Sequence, residues 1–215
     1  MSPKSLFDII EGKDPNRSMY SDHVNPSKLR VPLAALPLEI RFKLARDICL
    51  CIHYLHLCNI VHKSLRSENI LFFCSTTKQD MLVFSKPYII GFEHSRLDTV
   101  GEVTVTRTIQ NVEHDGYRYP GYRSEQSMRS TKLHDLYSLG LVLLEIATWK
   151  NLDVLFDSRR VNKIAEVLNS RDVTASPVTD LKKLVGTTFY EVVDICLKGG
   201  FDMDADNDDY HRGAL

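Results

Sequence analysis

Apolar residues recur along the chain in two rhythms. From residue 38 to 57, Ile40, Leu44, Ile48, Ile52 and Leu55 fall at spacings of four and three, which is the stripe of an amphipathic helix with Pro37 at its first turn. From 134 to 149 the pattern changes. Leu136, Leu139, Leu141, Val142, Leu143, Leu144, Ile146, Ala147 and Trp149 cover nearly the whole circumference, and a helix apolar all round belongs inside a domain. Residues 3–11 form a shorter helical segment, with Ser2 as its expected cap and Gly12 as its stop. Residues 160–168 form a weaker one. Thr188 followed three residues later by Glu191 predicts a capping box for a helix over 188–198, ended by Gly199 and Gly200.

Between these helices lie short apolar runs at 60–61, 70–73, 81–84 and 87–90. Ile70-Leu71-Phe72-Phe73 and Met81-Leu82-Val83-Phe84 predict a small hairpin, and Tyr88-Ile89-Ile90 a further short strand. Residues 13–36, with Pro15, Pro26 and Pro32, and residues 94–130 carry no period and are expected as loop. The acidic stretch 201–215 is expected as a tail, which leaves 1–200 as one mainly α domain with a few short β-strands.

Composition narrows the function classes. A net charge of −1 over 215 residues, with 43% apolar residues, supports a packed core and gives no footprint for nucleic acid. The run from Leu139 to Ala147 is broken by Glu145 and is too short for a membrane span. Five irregularly spaced cysteines with no C-x-x-C pair fit reduced core thiols in an intracellular, cytoplasmic protein, and no zinc site is expected. His53 and His56 lack a third converging ligand. The acidic run from Asp202 to Asp209 has Asn207 and Gly213 where a calcium loop needs Gly and Glu, so no metal site is expected there.

The segment with candidate chemistry is Ile60-Val61-His62-Lys63-Ser64-Leu65-Arg66-Ser67-Glu68-Asn69-Ile70-Leu71. It resembles the catalytic loop of protein kinases, H-R-D-L-x-x-x-N, with His62, Leu65 and Asn69 in place. Lys63 stands where Arg is usual, and Ser64 where the catalytic Asp belongs. Ile89-Ile90-Gly91-Phe92-Glu93 resembles the strand and D-F-G segment. Phe92 matches, Gly91 replaces the magnesium-binding Asp, and Glu93 replaces the Gly. His134-Asp135-Leu136-Tyr137-Ser138-Leu139-Gly140 resembles the central helix of the kinase C-terminal lobe, and Pro120 alone remains of A-P-E. The wording of 87–96 and 117–149 is closest to fungal kinase-like domains attached to HeLo-type (prion-inhibition and propagation) domains.

The resemblance implies a kinase C-terminal lobe without its N-terminal lobe. The glycine-rich loop, strand Lys and partner Glu of the family's nucleotide cleft have no counterpart in these 215 residues. A neutral serine is a poor general base, and losing such a base costs roughly 10²–10⁴-fold in rate. Gly91 offers magnesium no side-chain oxygen. The expected function is therefore that of a pseudokinase interaction module with unidentified protein partners. It would have no catalytic residue at Ser64 or Gly91, and His62, Asn69, Phe92 and Asp135 would be kept for structure: Asp135 as a buried backbone cap, His62 packed, Asn69 bonded within its loop. No cofactor is expected on this reading. Two others stand beside it: an active or ATP-binding kinase using magnesium and non-standard residues, and a piece of a longer protein with an N-lobe or HeLo-type domain upstream.

Overall fold

The computed structural model describes residues 3–11, 36–73, 86–97, 116–117, 131–156 and 181–198. The expectations for 13–35, for the 81–84 half of the hairpin, for the 160–168 helix, for the Gly199-Gly200 stop and for the 201–215 tail lie outside them.

The described chain is mainly helical, with a small antiparallel sheet. Strand β1 (Lys4–Ser5) leads directly into α1 (Leu6–Glu11). The helix starts three residues later than its sequence suggests. Its cap is Ser5 rather than Ser2: the Ser5 hydroxyl accepts the Asp8 N–H at 3.1 Å and donates to the Asp8 carboxylate at 2.7 Å. Pairing of Lys4 and Ser5 with β3 (Ile70–Phe72) keeps the first residues extended. On its other edge β3 pairs with β4 (Tyr88–Ile89) in the register Ile70↔Ile89. A second, two-stranded pairing joins β2 (Ile60–Val61) to β5 (Arg96–Leu97), within the stretch expected as loop.

Helix α2 spans Leu38–Leu57, as its periodicity predicts, but its buried face is rotated. Leu44, Ala45, Ile48 and Ile52 are buried with Arg41, whereas Ile40 is 37% exposed. Arg41 reaches the inside because its guanidinium has work there. Its Nε donates to Leu36 O at 2.6 Å, its Nη1 to Ala147 O at 2.8 Å, and its carbon lies 5.5 Å from the Trp149 ring centre. The Ala147 carbonyl belongs to the last turn of α3 (Lys132–Thr148), where helix carbonyls lack intrahelical partners. Arg41 thus caps one helix from the start of another. His56, near the end of α2, meets Asp135, near the start of α3, so the two helices run antiparallel.

Helix α3 is the core of the molecule. Leu139, Leu141, Val142, Leu143, Leu144 and Ile146 are all buried, and each contributes about 1.5–3 kcal/mol by leaving water. Short α4 (Leu152–Phe156) follows it. Helices α5 (Leu181–Val185) and α6 (Thr187–Lys198) are separated by Gly186 alone. This displaces the expected capping box. Gly186 O accepts the Tyr190 N–H at 3.2 Å, so the helix is under way before Thr188, which is exposed.

Helices α3 and α6 approach most closely at Gly140. A Cβ there would lie 2.8 Å from Cys196 Cβ and 3.0 Å from Leu197 Cδ2. Exposed on a lone helix, Ala would be favoured over Gly by about 1 kcal/mol. At this crossing the order reverses: Gly140→Ala is expected to destabilise the protein by about 1–2 kcal/mol, since overpacking forces the helices apart. Urea melts of the two proteins measure this, and an unchanged midpoint would show that the helices separate without cost.

Candidate functional site

The loop 62–69 is built on the first turn of α3. Asp135, 1% exposed, accepts the backbone N–H of His62 at Oδ2 (2.7 Å) and that of Lys63 at Oδ1 (2.8 Å). His56 Nε2 lies 3.1 Å from Oδ2. Lys63 has φ +67°, a left-handed conformation that costs an L-residue about 1–2 kcal/mol. The bond from its N–H to Asp135 helps hold it there. Asp135 is therefore the buried backbone cap that its sequence position predicts.

His62 is fully buried and fixed on both ring nitrogens. Its Nδ1 accepts the Ser64 N–H at 3.3 Å, and its Nε2 lies 3.0 Å from Ile90 O. A carbonyl can only accept, so Nε2 carries the proton and the ring is neutral. Burial pushes its pKa down, and the nearby Asp135 opposes that only in part. Phe92 packs edge-on against the ring at 4.7 Å.

Asn69 closes the loop. Its Nδ2 donates to Ser64 O at 2.7 Å and lies 3.1 Å from Ser64 Oγ. The two loops are then stitched together by Ile90 N to Asn69 O at 2.9 Å and by Ser95 Oγ to His62 O at 3.1 Å. Gly91, with φ +91°, sits directly on the Asn69 amide, and a Cβ there would fall 2.5 Å from Asn69 Nδ2. All six positions singled out from sequence, His62, Ser64, Asn69, Gly91, Phe92 and Asp135, therefore meet in one place. Ser64 is half-buried and Phe92 is 43% exposed.

A family defined as a domain of unknown function, DUF7580, matches residues 1–212. The chain belongs to DUF7580. No curated protein matches it.

In this DUF7580 chain the loop has a second anchor, for which sequence reasoning gave no role. Glu145 is fully buried in α3. Its Oε2 accepts the Tyr117 O–H at 2.7 Å, and its Oε1 accepts the Leu152 N–H at 3.0 Å, at the start of α4. Tyr117 Oη lies 2.8 Å from Ser67 Oγ, on the 3-10 turn Ser67–Asn69, and the Ser138 hydroxyl donates to Tyr117 O. Burial pushes the Glu145 carboxyl up to about 8. The only sequence signal was Glu145 itself, an acid interrupting an otherwise apolar run. His53 is exposed on α2.

The carboxylate at 135 satisfies two backbone N–H groups at once, that of His62 buried and that of Lys63 half-buried. Asp135→Ala is expected to cost about 2–5 kcal/mol, since each buried donor left unpaired costs about 1–3 kcal/mol, and Asp135→Asn, which keeps one acceptor oxygen, about half of that. Chemical denaturation gives both values. Equal losses would mean that the second bond contributes nothing. At Gly91 two costs coincide, the left-handed φ and the contact with Asn69. Gly91→Ala is expected to lower stability by more than 1 kcal/mol and to speed amide exchange at Ser64. An exchange rate unchanged at Ser64 would separate Gly91 from the loop.

Proposed function

We propose that this DUF7580 domain is a kinase C-lobe-like module that has given up phosphoryl transfer and serves as a protein-interaction surface. The observation that carries this reading is the fate of the Asn69 amide. In the protein-kinase pattern that the sequence resembles, an Asn at this position helps to bind magnesium, with two aspartates supplying the base and the main metal contact. Here Ser64 and Gly91 stand at the aspartate positions. The Asn69 Nδ2 is spent on Ser64, and the amide fills the space where a side chain at 91 would start. The residues present do not fit a magnesium–nucleotide group. One neutral amide oxygen is a poor magnesium ligand set, and Ser64 supplies neither charge nor base.

Phe73, Tyr88, Ile90, Phe92 and Leu97 are each at least 40% exposed. Phe73 follows β3, Tyr88 lies on β4, Ile90 and Phe92 follow β4, and Leu97 lies on β5, with Phe73 and Tyr88 stacked edge to face at 4.9 Å. Exposed apolar groups of this size suit a protein partner. No described helix is long and apolar enough to cross a membrane.

Millimolar magnesium-ATP tests the reading. A ligand at 100 times its dissociation constant stabilises by about 2.7 kcal/mol, a rise of several degrees in Tm for a chain of this size. The expected result is no rise and no incorporation of labelled phosphate. A rise of several degrees, abolished by removing magnesium, would overturn the proposal in favour of a nucleotide-binding kinase.

A further inference from the structure

Glu145 is the buried group whose chemistry the fold leaves most exposed to change. Its two carboxylate oxygens take one hydrogen bond each, from Tyr117 and from Leu152. The titratable groups that act on it are Tyr117, on the 116–117 segment, and Glu68, on the 3-10 turn beside Ser67. Burial weighs most against its charge and Glu68 adds to that, whereas the hydrogen bond from Tyr117, the Leu152 N–H and the nearby Ser67 hydroxyl favour it; no cation pairs with it among the described residues. Full burial makes the carboxylate form costly, whereas the neutral acid is not. The neutral acid also suits the geometry. Its Oε2–H can donate to Tyr117 Oη, Tyr117 can donate to Ser67 Oγ, and Oε1 still accepts the Leu152 N–H.

We infer that Ser67, Tyr117 and Glu145 form a proton-operated latch: protonated, Glu145 holds the 116–117 segment and the start of α4 against the candidate-site loop, and loss of its proton to solvent loosens them. The inference rests on this cluster alone and is independent of the kinase-like reading.

The sign follows from linkage. In the opened state Glu145 is solvated and takes its ordinary value of 4.5, while the closed state holds it at about 8. Between these values opening releases a proton. The opening equilibrium therefore rises by up to about tenfold per pH unit and levels off where the closed form also ionises. The latch is tight in acid and looser towards neutrality. His62, whose pKa burial lowers, works in the other direction, because a buried neutral imidazole is disfavoured as pH falls.

Amide exchange by NMR on the full 215-residue chain from pH 5 to 8.5, corrected for intrinsic rates, provides the test. The Leu152 amide, bonded to Glu145 itself, is the reporter, and the amides of Ile48 and Leu141 report global unfolding. The expected result is a Leu152 opening constant that climbs several-fold or more per pH unit and flattens near pH 8, with the core amides unaffected. In Glu145→Gln, whose amide reproduces the neutral hydrogen-bond pattern, it should stay flat. A flat wild-type profile, an equal climb in the variant, or a parallel climb at Ile48 and Leu141 would each overturn the latch. Should the variant fail to fold, the carboxyl ¹³C titration of the wild type decides. A glutamate with a midpoint well above 6 supports the latch, and ordinary midpoints for every glutamate overturn it.

Discussion

The candidate site depends on the carboxylate of Asp135. It projects from the first turn of the most buried helix and takes three contacts at once, from His62 N, Lys63 N and the His56 ring. Removing the carboxylate would leave two backbone donors, one buried and one half-buried, without this partner, a cost comparable to a sizeable part of a domain's net stability. It would also release the left-handed turn at Lys63. Everything above it is arranged in sequence. The fixed backbone at 62–63 aims the His62 ring at Ile90 O, that contact sets the second loop, and the second loop brings Gly91 onto the Asn69 amide.

Seen from that chain of contacts, Ser64 and Gly91 are mutually consistent. The Ser64 carbonyl and hydroxyl take up the Asn69 amide, and the absence of a Cβ at 91 lets that amide lie where it does. A carboxylate at 91 would begin inside the Asn69 side chain. On the proposed reading, loss of the metal ligand and closure of the loop are one structural event rather than two independent lesions. Restoring the acid at 91 would strain the loop before it could attract magnesium.

Much of the frame was legible in the sequence where a regular period met an unambiguous boundary. The limits of α2 follow from Pro37 and a sustained stripe, and α3 from apolar residues on all sides. The site positions were legible too, through the resemblance of 60–71, 89–93 and 134–140 to the protein-kinase patterns. What escaped sequence reasoning depends on partners distant in the chain. Ile40 fits the apolar stripe of α2 better than Arg41, yet Arg41 goes inside because the Ala147 carbonyl, 106 positions away, needs a donor. Ser2 is a good local cap, but pairing of Lys4 and Ser5 with β3 moves the helix start to Ser5. Thr188 and Glu191 make a capping box by spacing, and α5 pre-empts it by running into α6 across Gly186. Tyr117 lies in a stretch with no period at all, and only its hydroxyl contacts single it out.

One helix therefore grips the 62–69 loop at both ends, with two acids under different constraints. Asp135 holds the loop's first residues directly, surrounded by donors. Glu145, ten positions on and about 15 Å further along the helix axis, holds Ser67 through the Tyr117 ring, and its full burial disfavours its charge. The residues from 62 to 67 extend at most about 17 Å, so the loop has little slack between these anchors. A change at either acid must then be felt at Asn69, which ends the loop and carries the contact with Gly91. The two anchors differ in what they can respond to. The Asp135 grip rests on backbone donors that do not titrate, while the Glu145 grip includes a proton that solvent can remove. If the site is adjustable in the intact protein, its movable end is the one at Ser67, and the end at His62 is its hinge.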